Sequence, residues 1–261
     1  MARSRHRQPA PNPRDEIIQL AVDLDLTATA AALPDLLRQA ERDGMSFTDF
    51  THRLLRTEVD TRRDRRLARS LRRSKLGAVE GLDGFNFQIR PQLEPRVVKE
   101  LFNCRFVEEK RNLLCLGKPG LGKTRIAKAI VHAACLAGYS TLCVTAAAML
   151  EDLHASHADG TFKRAIRRYV KPDVLLLDEF ALEPLGVDAT KYLYRVVAAR
   201  HGQGATVLTA NTGFEDWKRL FPSEPAAVAT VDRLVDRAAI LRFTGKISRQ
   251  PREIVGAPLD S

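Results

Sequence analysis

The stretch Gly117-Lys118-Pro119-Gly120-Leu121-Gly122-Lys123-Thr124 constrains this chain more than any other. It fits the spacing G-x-x-x-x-G-K-[ST], and its flanks decide what that spacing means. Leu113–Leu116 before it is a short apolar run that reads as a buried strand, and Thr124–Ala137 after it reads as a helix. A strand, a glycine loop and a helix N-terminus in that order cradle phosphate. The glycines let successive backbone N–H groups turn inward with no Cβ in the way, and the partial positive charge of the helix end favours the same anion. In that frame Lys123 reaches the β- and γ-phosphates of a nucleotide, and the Thr124 hydroxyl is a ligand for Mg²⁺.

Further polar groups follow in an order that suits phosphate chemistry. Val174-Leu175-Leu176-Leu177 ends in Asp178-Glu179. At the end of a buried strand these carboxylates are expected to face the loop, Asp178 holding Mg²⁺ and Glu179 orienting and deprotonating a water. The next apolar run, Thr206–Ala210, ends in Asn211, an amide able to bond both that water and the γ-phosphate. Arg233 and Arg237 share a helix face. They read either as a solvated basic face or as cations at a domain edge that reach a neighbour's nucleotide. Arg249 is the other late candidate cation.

Apolar strands at 113–116, 141–145, 174–177, 205–209 and 239–243 alternate with helical patterns at 124–137, 146–157, 162–170, 190–201 and 226–237. That alternation predicts an α/β fold with a parallel sheet covered by helices on both faces. Residues 14–76 are helical in period and predict a small all-helical domain, opened by a basic disordered tail at 1–13. Within it, Ser46 and Asp49 have capping-box spacing. Residues 77–95, with Gly77, Gly81, Gly84, Pro91 and Pro95, read as a linker, in which Phe85 and Phe87 either pack or contact a base. The nucleotide-binding domain is then 96–250, and 251–261 is a tail.

Lys and Arg number 42 against 32 Asp and Glu, a net charge of +10, and such a field attracts polyanions. The charge is concentrated at Arg62, Arg63, Arg65, Arg66, Arg69, Arg72, Arg73 and Lys75, with Asp64 as the one acid among them. That stretch is either a solvated face or a contact surface for nucleic acid. No run of about 18 apolar residues exists, so no membrane-spanning helix is expected, and the basic start is followed by no apolar segment of a signal peptide. Cys104, Cys115, Cys135 and Cys143 lack C-x-x-C spacing, which predicts reduced thiols and a cytoplasmic protein.

Taken together, the glycine loop, the Leu-Leu-Asp-Glu strand, the strand ending Thr-Ala-Asn and the Asp232-Arg233-Leu234 triplet resemble the AAA+ ATPases of the IstB/DnaC group. His132–Ser140 after the loop and Phe214-Glu215-Asp216-Trp217 after Asn211 carry the likeness toward IstB. The resemblance covers roughly residues 14–250. It implies an AAA+ P-loop domain that binds ATP and Mg²⁺, forms homo-oligomers on double-stranded DNA and assists the transposase of an insertion sequence. The alternative it offers is a loader of a replicative helicase, as in DnaC. It further implies Asn211 as sensor 1, Arg233 as a finger acting in trans and Arg249 as sensor 2. One departure stands near the end, where the group's usual Gly-x-Ser-Tyr-Arg reads Gly245-Lys246-Ile247-Ser248-Arg249.

Overall fold

Short apolar runs closed by glycine or polar residues become the strands of one sheet in the computed structural model. It describes residues 12–180 and 182–246. The chain forms two compact units, Met1–Ala68 and Arg69–Ser261.

The first unit is helical: α1 (Pro13–Asp23), α2 (Thr27–Asp43) and most of α3 (Phe47–Ser74). Residues 1–11 of the predicted tail lie outside the described residues. Asn12 and Pro13 do not belong to a tail. The Asn12 side chain accepts the Arg14 N–H at 3.1 Å and Pro13 takes the first helical position, both favoured ways to start a helix. Ser46 Oγ accepts the Asp49 N–H at 3.1 Å and donates to Asp49 Oδ2 at 2.6 Å, so the predicted cap forms at the start of α3.

The start of α2 carries no side-chain cap of its own. Glu58, a nearly buried carboxylate of α3, supplies one by accepting the Ala28 and Thr29 N–H groups, each at 2.9 Å. Arg62 donates to Glu58 Oε1 at 2.7 Å and to the Asp25 carbonyl at 2.7 Å, and Arg65 donates to Thr27 Oγ1 at 2.9 Å. Two arginines of the basic stretch therefore hold this helical corner together. Glu58→Ala strands two buried donors, and an unsatisfied buried donor costs about 1–3 kcal/mol. The first unit is expected to lose about 2–3 kcal/mol in denaturant unfolding monitored by helical circular dichroism.

The second unit contains the segment read as a linker. Arg90 and Leu93 are buried there, and Phe85 and Phe87 pack on the hydrophobic core. Its glycines and prolines turn the chain tightly between packed side chains, which a composition reading mistakes for slack. The elements that follow are α4 (Pro95–Leu101), α5 (Arg105–Glu108), β1 (Leu113–Gly117), α6 (Lys123–Leu136), β2 (Thr141–Thr145), α7 (Ala146–Ala158), α8 (Phe162–Val170), β3 (Val174–Phe180), α9 (Val187–Arg200), β4 (Ala205–Ala210), α10 (Phe214–Trp217), α11 (Glu224–Val235) and β5 (Ala239–Phe243).

The strands form one parallel sheet in the order β2-β3-β4-β1-β5. Side chains alternate across it. Leu113, Cys115, Val174, Leu176 and Val207 join one core with α6, and Leu114, Leu116, Leu175, Leu177 and Leu208 join a second with α7, α9 and α11. Burial on both faces is why β1 and Val174–Leu177 of β3 read as unbroken apolar runs, whereas the edge strand β5 exposes Ile240 and Arg242. Trp217 is fully buried in the second core, edge-on to Phe180 with ring centroids 4.9 Å apart. All four cysteines are free and buried, and burial pushes the Cys115 thiol up to about 12 and the Cys143 thiol up to about 11, so both stay protonated.

Candidate nucleotide site

The carboxyl ends of β3, β4 and β1 stand side by side, and ligands of open parallel sheets sit beyond such ends. β1 runs into the glycine loop, which runs into α6. Gly117 has φ +151°, and a Cβ there would run into the Phe243 carbonyl oxygen of β5. Gly122 has φ +91°, and a Cβ there would lie 2.7 Å from the Phe85 ring. Both positions require glycine for close approach, beyond any role in exposing N–H groups.

Lys123 is 6% exposed, and its Nζ donates to the Lys118 carbonyl at 2.8 Å across the loop. Burial lowers its pKa, and the neighbouring Cys115 and Asp178 offset part of that. Thr124 Oγ1 donates to Asp178 Oδ1 at 2.9 Å, and Thr209 Oγ1 donates to the same oxygen at 2.5 Å. A hydroxyl and a buried carboxylate thus meet beneath the loop. This all-oxygen donor pair fits Mg²⁺, which is bound by few protein oxygens plus phosphate and water.

Adjacent residues of a regular strand point to opposite faces, so Asp178 and Glu179 cannot both reach the loop from an ideal β3. The structure resolves this with a bulge. Leu177 pairs with Leu208 and Phe180 with Ala210, leaving Asp178 and Glu179 opposite Thr209 alone. Glu179 takes φ +56°, the left-handed region, and its N–H donates to Thr209 Oγ1 at 3.0 Å. Asp178 stays buried while Glu179 turns out to solvent. Bulges beside active sites re-aim side chains in this way.

Glu179, Asn211, Lys123 and Thr124 line one cleft of about 960 Å³. That is within the range of small-molecule sites. Its far wall includes Phe85, Asn86 and Lys246. Three contributors escaped the sequence reading. Thr209 is one, and Lys246 is another. The third is Arg90, 1% exposed, whose Nε donates to the Leu121 carbonyl of the loop at 3.0 Å and whose Nη1 donates to the carbonyls of Ile89, at 3.0 Å, and Lys246. Nothing in its glycine- and proline-rich surroundings marks Arg90 as a support of the loop.

The profile of the IstB-like ATP binding protein family matches residues 19–254. This chain belongs to that family. An ATP-binding protein of an insertion sequence from Geobacillus stearothermophilus is 30% identical over 90% of this chain and 94% of its own. One from Mycobacterium tuberculosis is 30% identical over 89% and 93%. An insertion-sequence ATP-binding protein of Pseudomonas aeruginosa is 29% identical over 82% and 81%. Among solved structures, DnaI shares the fold, with a TM-score of 0.50 and 21% identity over 57% of this chain and 84% of that one. The fold is thus an AAA+ P-loop domain, and ATP binding is the family's property.

Arg233, Arg249 and the arginines of α3 are the remaining candidates of this IstB-like protein. Arg233 is not at the cleft. Its carbonyl and that of Leu234 accept from Asn112 Nδ2 at 3.1 and 3.0 Å, and Asn112 immediately precedes β1, at the end of that strand away from the loop. The Arg233 side chain donates to the Ala229 carbonyl at 2.8 Å, and its guanidinium carbon sits 5.1 Å from the centre of the Tyr194 ring. Arg249 lies outside the described residues. Arg62, Arg63, Arg65, Arg66, Arg69, Arg72 and Arg73 are all exposed along α3. No described helix is long and apolar enough to cross a membrane.

Proposed function

We propose that this IstB-like chain is an ATPase that assembles into homo-oligomers on double-stranded DNA and serves the transposase of an insertion sequence. The observation that carries the reading is the division of the machinery. The loop, Glu179 and Asn211 line one cleft, with Asp178 buried behind Thr124, while the Arg233 backbone sits at the opposite end of β1. In the proposed reaction Lys123 leaves the Lys118 carbonyl for the terminal phosphates, and the loop N–H groups hold the rest. Mg²⁺, when bound by Thr124 and Asp178, supplies charge neutralisation to the phosphate oxygens. Glu179 takes a proton from a water that Asn211 orients for in-line attack on the γ-phosphorus, and ADP leaves. Arg233 of one subunit stabilises charge at the cleft of the next. Buried, protonated thiols suit a reducing cytoplasm. The curated relatives are named as proteins of insertion sequences, which favours the transposition role over the helicase-loader alternative.

Exposed arginines of α3 are the proposed contacts to the DNA backbone. Each phosphate contact contributes about 0.9 to the slope of log affinity against log salt on duplex DNA. Arg62 and Arg65 hold the helical corner, so Arg63, Arg66, Arg72 and Arg73 are the substitutions of choice. Their quadruple change to Ala is expected to flatten the slope by about 3–4 and to weaken binding alike on all sequences, measured by fluorescence anisotropy with ATP across a salt series. An unchanged slope assigns that face to solvation.

A further inference from the structure

We infer that Thr209 is a positioning residue for hydrolysis, its hydroxyl setting the conformation of both carboxylates of β3 at once; the inference rests on Glu179 acting as the base. Thr209 is 1% exposed, and its hydroxyl both donates and accepts: its proton goes to Asp178 Oδ1 at 2.5 Å and one of its lone pairs takes the Glu179 N–H at 3.0 Å. The bulge makes this necessary. Two residues of β3 face one residue of β4, so the Glu179 amide loses its place in the regular ladder, and the side chain opposite takes it over. Glu179 holds a left-handed φ of +56°, which a non-glycine residue keeps only when its surroundings fix it. The same hydroxyl loads the Asp178 oxygen that Thr124 also bonds. A single hydroxyl therefore ties the loop's threonine, the buried carboxylate and the aim of Glu179 into one unit, two residues before Asn211, which directly follows β4.

Two substitution pairs isolate the hydroxyl. Thr209→Val keeps shape and removes it. Thr209→Ser keeps it and removes the methyl, which Thr209→Ala removes as well. In the full-length chain, Thr209→Val and Thr209→Ala are expected to hydrolyse ATP at least about 30-fold more slowly, with ATP affinity within about threefold of the parent. Thr209→Ser is expected to stay within about threefold in rate. Amide hydrogen exchange gives a readout independent of turnover. The Glu179 N–H should exchange at least about tenfold faster in Thr209→Val and Thr209→Ala, and at the parent rate in Thr209→Ser. Parent-like turnover in Thr209→Val, or a Thr209→Ser variant as slow as Thr209→Ala, overturns the inference. If Thr209→Val does not fold, the Ser and Ala pair decides alone. Glu179→Gln in the same assay separates the two claims. Normal turnover there removes the base assignment, whereas slow Glu179→Gln with normal Thr209→Val removes only Thr209.

Discussion

Arg233→Ala should bind ATP as the parent does and hydrolyse it about 10³-fold more slowly or worse, the loss typical of a missing arginine finger. The proposed trans role rests on distance. Five residues of β1 separate the Arg233 end of the sheet from the glycine loop, roughly 13–17 Å at strand rise, too far for the side chain to serve its own cleft. The contacts that hold it in the single subunit are modest. A surface cation–π contact contributes about 0.5–1 kcal/mol and a hydrogen bond from a charged guanidinium about 1.5–3 kcal/mol. A 10³-fold rate gain corresponds to about 4 kcal/mol, so reaching a neighbour's γ-phosphate matches or outweighs leaving Tyr194 and the Ala229 carbonyl. Mixing Arg233→Ala with Lys123→Ala supplies intact loops on one chain and intact fingers on the other. Phosphate release from the mixture should recover part of the parent rate. With co-assembly confirmed, no recovery at any ratio returns Arg233 to a surface cation held over Tyr194.

The second large effect splits binding from chemistry within one subunit. Lys123→Ala should lose ATP binding, because the loop's one buried cation is gone. Its own fold should not suffer. Burial disfavours the charged Lys123 side chain, and among the described residues its side chain hydrogen-bonds the Lys118 carbonyl alone, so the melting temperature of the ligand-free variant should equal or exceed the parent's. Glu179→Gln should bind ATP and lose about 10²–10⁴-fold in turnover, since an amide accepts no proton from water. Titration with a fluorescent ATP analogue and a phosphate-release assay check both. Normal turnover in Glu179→Gln would sink the base assignment.

Most of the sheet was legible because its inner strands are buried on both faces. Apolar runs such as Val174–Leu177 bounded by polar residues have few other readings, and the sequence limits of β2 and β5 match the structure. The phosphate loop was legible for a different reason, since its spacing is dictated by the ligand. What escaped depended on contacts between distant residues. The bulge at Asp178 and Glu179 has no local signature: no glycine marks it, and it exists because Thr209 on another strand completes it. Arg90 looked like a residue of a loose linker, yet two of its partners are 31 and 156 positions away. α4 and α5 were too short to show a helical period. The arginines of α3 were legible as charge only; that Arg62 and Arg65 bond Asp25 and Thr27 follows from tertiary placement.

The burial of Trp217 gives the molecule a built-in optical reporter. It is the chain's one tryptophan, so emission excited at the indole comes from a single place. Its ring lies between Phe214 and Phe180, and Phe180 is joined by one peptide bond to Glu179. Its indole N–H has no hydrogen-bond partner among the described residues, which leaves the ring in an apolar setting sensitive to small shifts. A rearrangement of the Glu179 backbone as the cleft fills is therefore expected to change the emission of a native fluorophore, so that turnover can be followed in the unlabelled protein.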